Sequence, residues 1–149
     1  MAVSRAAFAE TTTAVNGIGA RDRVGGLPGC RLRRVAQYVE QNLQARLRLA
    51  ELSALVHMSP YHFARLFKRS TGVPPHLFVI RCRIEQARTL LVTQTAPIAV
   101  IARLVGFQTP SHFTTTFRRL TGMTPSEYRS GVGVTSAGRA PSQHVDGRS

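Results

Sequence analysis

The sequence predicts an all-α fold in which two small helix–turn–helix units are joined by one long helix. Three observations predict it. From about residue 30 to 130 the apolar residues recur at three- and four-residue steps, with no two-residue strand alternation. The same dozen residues occur twice, as YHFARLFKRSTG from Tyr61 and SHFTTTFRRLTG from Ser111. Each copy is bracketed by the same punctuation: Ser59-Pro60 and Thr109-Pro110 ahead, Gly72 and Gly122 behind. A hydroxyl residue followed by proline starts a helix well, and glycine ends one.

The elements follow in order. LRRVAQYVEQNL sets Leu32, Val35, Tyr38, Val39 and Leu43 on one face, which predicts a first helix over about 32–44. AELSALV at 50–56 is short and apolar on one side. A turn at HMS leads to the third helix, Pro60–Ser70, capped by Ser59 and stopped by Gly72. The longest helix is predicted over about Pro75–Thr93, with Leu77, Ile80, Ile84, Ala87 and Leu91 as its apolar residues and Glu85 spaced to pair with Arg81 and Arg88. TAPIAVIARLVGF supplies a fifth helix, about Pro97–Val105, and Thr109 caps a sixth, Pro110–Leu120. A short seventh begins at Thr124, where Thr124 and Glu127 have the spacing of a capping box. Residues 1–28 read as a flexible leader and 131–149 as a disordered tail, both rich in small and polar residues without periodicity. The predicted folded part is 29–130: a first subdomain over 30–74, the linker helix over 75–93 and a second subdomain over 95–130.

At an offset of fifty, the copies match at Pro60/Pro110, His62/His112, Phe63/Phe113, Phe67/Phe117, Arg69/Arg119, Thr71/Thr121, Gly72/Gly122 and Pro75/Pro125. Upstream of the turn the offset is forty-nine, pairing Leu52/Ile101, Leu55/Leu104, Val56/Val105 and Met58/Phe107, so the second turn has gained one residue. Helical spacing then sorts inside from outside. Phe63, Leu66 and Phe67 fall on the inward stripe of the first copy, and Phe113, Phe117 and Leu120 on that of the second. The outward stripes carry Tyr61, Ala64, Arg65 and Lys68 in one copy and Ser111, Thr114, Thr115 and Arg118 in the other. What repeats is core and caps; what differs faces out. One scaffold offering two reading surfaces would look like this.

Charge narrows the partner. The 149 residues hold 20 Lys+Arg against 7 Asp+Glu, a net +13 with pI near 11.7. Between Cys30 and Ser130 there are 15 basic and 4 acidic residues, so 15 − 4 = +11 lies in the predicted folded region. Such an excess points to an anionic polymer, nucleic acid ahead of membrane. Lys68 is the single lysine; the rest is arginine, whose planar fork suits phosphates and guanine edges. Cys30 and Cys82 have no metal-type spacing, which suits a reduced cytosolic protein. There is no apolar run of membrane-spanning length and no secretory pattern at the N-terminus. No nucleophile–base constellation, phosphate loop or carboxylate pair can be assembled, so no enzyme, cofactor or metal is predicted. Stacking single strands needs exposed aromatics, and most of those here, Phe63, Phe67, Phe113 and Phe117, are committed to the inward stripes.

HMSPYHFARLFKRSTGVPP, RIEQARTLL and IARLVGFQTPSHFTTTFRRLTGMTPSEYR together resemble the DNA-binding domain of AraC/XylS-type bacterial transcription regulators, over about residues 30–130. The run from Gly106 to Arg129 carries most of the likeness. The resemblance implies two homeodomain-like three-helix units whose recognition helices enter successive major-groove segments of double-stranded promoter DNA as a monomer. It implies base reading at Tyr61, Ala64 and Arg65 and at Ser111, Thr114 and Thr115. Ser59, His62, Lys68, Arg69, His112, Arg118 and Arg119 are expected to position the protein on phosphates. It further implies a cytoplasmic, nucleoid-associated regulator that contacts RNA polymerase, commonly as an activator. Family members usually carry a sensing domain as well, so two readings stand: a stand-alone regulator, or the DNA-binding piece of a longer one. A basic protein binding nucleic acid without sequence preference is the further alternative.

Overall fold

The computed structural model describes residues 25–134. Seven helices occur among the described residues and no strands: α1 Gly29–Gln41, α2 Leu49–Ala54, α3 Pro60–Thr71, α4 Pro75–Thr93, α5 Ile98–Leu104, α6 Pro110–Thr121 and α7 Pro125–Val134. The expected signals act at the helix ends. The Ser59 hydroxyl accepts the His62 N–H at 3.4 Å and the Thr109 hydroxyl accepts the His112 N–H at 3.2 Å. Gly72 and Gly122 stop their helices with φ of +82° and +85°, a region a side chain disfavours. At the head of α7 the Glu127 carboxylate accepts the Thr124 N–H at 2.7 Å, and the Thr124 hydroxyl accepts the Glu127 N–H at 3.2 Å.

Two apolar cores form, and α4 serves both. Leu32, Val35, Val39, Leu52, Val56, Phe63 and Phe67 close the first around Phe78, Val79 and Cys82. Ile101, Ala102, Val105, Phe107, Phe113 and Phe117 close the second around Ile84, Ala87, Leu90 and Leu91. Within each, phenylalanines meet edge-on or tilted, as at Phe67–Phe78 (5.3 Å) and Phe107–Phe113 (5.2 Å). Burying one such ring contributes roughly 2–3 kcal/mol of transfer free energy.

Several details differ from expectation. The single stripe read on α4 does not hold: Leu77 and Ile80 are half-buried, while Phe78, Val79, Cys82 and Leu90 are in the cores. A helix serving two cores on different sides has no one apolar face. Leu120 is 36% exposed rather than inward, because Phe113, Thr116 and Phe117 already fill that side of α6. Leu66 is only half-buried against the first core. Glu85 pairs with Arg88 at 2.9 Å and not with Arg81. The first helix starts at Gly29 and ends at Gln41, where the Asn42 side chain donates to the Tyr38 carbonyl at 2.8 Å and turns the chain. Residues 1–24 and 135–149, most of the expected leader and tail, lie outside the described residues. The described end of the leader is packed: Leu27 is 4% exposed in the first core. α7 continues past Ser130 to Val134.

Candidate nucleic-acid interface

Each copy places a short helix, a tight turn and a longer helix in sequence. The turns are held alike, by Met58 N–H donating to the Ser53 carbonyl at 3.1 Å and Phe107 N–H to the Ala102 carbonyl at 2.9 Å. Each also needs one residue with positive φ. The first turn uses His57 at +56°, the second Gly106 at +94°.

The long helices then present the residues expected to read DNA. On α3, Tyr61 is 74% exposed, Arg65 and Lys68 are exposed, and Ala64 is half-buried. On α6, Ser111, Thr115 and Arg118 are exposed and Thr114 is half-buried. Opposite them Phe63, Phe67, Phe113 and Phe117 are fully buried, which locks the rotation of both helices about their axes. Ser59 spends its hydroxyl on the helix cap. His62 and His112 are exposed, and the His112 ring stands edge-on to Phe107 at 5.3 Å.

The cations expected at phosphates divide. Among the described residues no carboxylate forms an ion pair with Arg65, Lys68, Arg118 or Arg119. Arg118 lies in the field of Glu127, whose carboxyl is held below its ordinary range chiefly by the Thr124 N–H. Arg69 is engaged within the protein, where its Nη1 donates to the Gly25 carbonyl at 3.2 Å. Beside it, the buried Ser70 hydroxyl accepts the Leu27 N–H at 2.7 Å. Arg69 and Ser70 thus fasten the chain entering α1 to the far end of α3, a role for Arg69 that its match to Arg119 does not suggest.

A cleft of about 660 Å³ opens between the units, lined among others by Arg46, Leu52, Ala64, Arg83, Phe107 and His112. Sequence reasoning passed over Arg83, which in a helical pattern reads as one more solvated charge. It is half-buried, and burial lowers its guanidinium from the ordinary value without a carboxylate to offset this. Burial likewise pushes the Cys82 thiol up to about 12, with Glu40 and Glu85 adding to the effect, so it stays protonated and unreactive at neutral pH. Among the described residues no group of His, Cys, Asp or Glu could hold a metal ion, and no helix is long and apolar enough to cross a membrane.

Residues 52–131, more than half of the chain, match the helix-turn-helix domain family of AraC type. The probable transcriptional regulator LumQ of Photobacterium leiognathi is 38% identical over 95 residues, covering 64% of this chain and 38% of that protein. The arabinose operon regulatory protein of Escherichia coli (strain K12) is 34% identical over 102 residues, 68% of this chain and 35% of that protein. Among solved structures, the DNA-binding domain of AdpA, a global transcriptional factor in complex with a target DNA, is similar with a TM-score of 0.67 at 29% identity. That match covers 71% of this chain and 96% of the AdpA domain. The chain spans less than two fifths of the length of these two curated relatives.

Proposed function

The chain belongs to the AraC/XylS-type family of helix-turn-helix DNA-binding domains, and on that premise we propose that it is a sequence-specific transcription regulator reading one asymmetric promoter site. As a monomer it lays α3 and α6 into successive major-groove segments. The observation that carries this reading is the duplicated scaffold with unlike outward faces. Two identical faces would call for two like half-sites; Tyr61, Ala64 and Arg65 against Ser111, Thr114 and Thr115 do not. Length supports it too: the 19 residues of α4 rise about 28 Å at ~1.5 Å each, close to the ~34 Å between major grooves one turn apart.

Arg65 is the principal reader, with a bidentate contact to guanine that discriminates by ~1–3 kcal/mol. Tyr61 touches a thymine methyl or a phosphate, and Ala64 offers only an apolar contact. The hydroxyls of Ser111, Thr114 and Thr115 discriminate weakly, so the second half-site carries less information and more positioning. Lys68, Arg118 and Arg119 neutralise phosphates, helped by His62 and His112, while Arg69 contributes only what its bond to Gly25 leaves free. Activation through contact with RNA polymerase is the mode proposed. A second reading, favoured by the greater length of the relatives, makes this the DNA-binding part of a longer effector-responsive regulator.

Selection of duplexes from a random pool tests the proposal. The expected motif spans about 20 base pairs, from two recognition helices ~10 base pairs apart, with one half stronger. Arg65→Ala should relax preference at one base position, whereas Arg119→Ala should weaken all sequences alike and shallow the salt slope by about 0.9. Equal effects of the two on base preference would reject the assignment, as would a motif shorter than one helical turn.

A further inference from the structure

Arg83 stands at the waist of α4, between Cys82 of the first core and Ile84 of the second. Its fork reaches back to two backbone carbonyls. Nε donates to the Leu43 carbonyl at 3.0 Å and Nη2 to the Ala45 carbonyl at 2.9 Å. Both acceptors lie in the loop just beyond α1, where a helix end leaves carbonyls without intrahelical donors. A planar guanidinium can bridge two such carbonyls at once; an ammonium on a flexible stem makes a point contact instead.

The second unit closes on the same spot. A Cβ added at Gly106 would collide with the Leu43 carbonyl oxygen and would stand 2.8 Å from Arg83 Nε and 3.0 Å from Cζ. The turn of the second helix–turn–helix is therefore pressed against the Arg83 fork and the carbonyl it holds. Three parts of the molecule meet within one side chain's reach: the α1–α2 loop of the first unit, the linker helix, and the turn of the second. The equivalent turn residue of the first unit, His57, is exposed and meets no such junction.

We propose that Arg83 is a positioning residue that sets the half-site spacing this protein accepts, by locking the separation and rotation of the two reading helices. The inference rests on the reading that both units grip one duplex. Inserting one base pair between half-sites moves the second by roughly 3.4 Å and turns it by ~35°. A locked junction cannot follow that displacement. A junction without the fork can, at the cost of some affinity for the native spacing.

The test uses the full chain, the duplex obtained by selection, versions with one base pair added or removed between the halves, and the stronger half-site alone, all at one salt concentration. Wild type should lose about 30-fold on the shifted duplexes, the scale of one or two lost base contacts. Arg83→Met keeps the apolar stem and should bind the native spacing about threefold more weakly yet lose under about fivefold on the shifted ones, with half-site affinity unchanged. Arg83→Lys keeps the charge and should behave like the Met variant; it carries the comparison alone if circular dichroism shows that Arg83→Met fails to fold. A wild-type spacer profile in either folded variant overturns the proposal. So does a uniform loss on every duplex and on the half-site, which would make Arg83 a phosphate contact. Failure of the two-unit reading shows separately, as wild type binding the half-site alone as tightly as the full duplex; wild type that prefers the full duplex yet binds all spacings equally overturns the proposal.

Discussion

The two helix–turn–helix copies share Phe63/Phe113, Phe67/Phe117, a hydroxyl cap and the stopping glycines, and besides their outward faces they differ at two places that bear on assembly. In the turn, the first copy has His57 and the second Gly106, both with positive φ. Near the end of the long helix, the first has Ser70, buried under Leu27, and the second has Leu120, 36% exposed. Both differences arise where a unit touches something outside itself. Gly106 admits the Leu43 carbonyl of the other unit; Ser70 receives the chain entering α1. The repeated residues build each unit, and these two unrepeated ones record how each is placed in the molecule.

The largest expected effect probes whether the two cores are separate. Phe117→Ala should cost about 3–5 kcal/mol in denaturant unfolding, as large-to-small changes of buried aromatics do. Hydrogen exchange should quicken chiefly over residues 98–131, with 29–71 much less affected. Equal loss of protection in both halves would mean that α4 couples the cores into one cooperative unit. Next comes Gly106→Ala, expected to cost about 3 kcal/mol, since a positive-φ side chain alone costs ~1–3 kcal/mol and here it also meets the neighbouring unit. A thermal melt unchanged within error would show that the junction yields freely. The smallest is His57→Gly. Relief of the strained backbone is offset in part by the greater entropy of an unfolded glycine, so stability should rise by under about 1 kcal/mol. A marked fall would show that the His57 side chain holds something beyond its own turn. Glycine at equivalent turns would then be destabilising to remove in one copy and nearly neutral to introduce in the other.

The outward faces were readable in the sequence because helical spacing forces Tyr61, Arg65 and Lys68 to the side opposite Phe63 and Phe67. The helix ends were readable for a similar reason: Ser59, Thr109, Thr124, Gly72 and Gly122 act on backbone groups within a few residues of themselves. Arg69 and Arg119 show where this stops. They are the same residue at the same helix position, but only Arg69 bonds across 44 residues to Gly25. Leu77 and Leu120 misled for the reverse reason. Periodicity states that a stripe is apolar, whereas burial depends on whether a neighbour arrives to cover it.

By itself, then, the chain's order of residues determined the seven helices of the described residues, several of their caps and a duplicated helix–turn–helix unit, since each of those follows from interactions a few residues long, and its composition determined the excess of basic charge. Only the tertiary structure decided which side of α4 each core takes, that Leu27 closes the first of them, and that Arg83 and Gly106 meet at the Leu43 carbonyl. Those contacts join residues well beyond a helix turn of each other, 40 positions apart at Leu43 and Arg83. Such pairs leave no period in the sequence, because the force that brings them together is the packing of whole units rather than the geometry of any one helix.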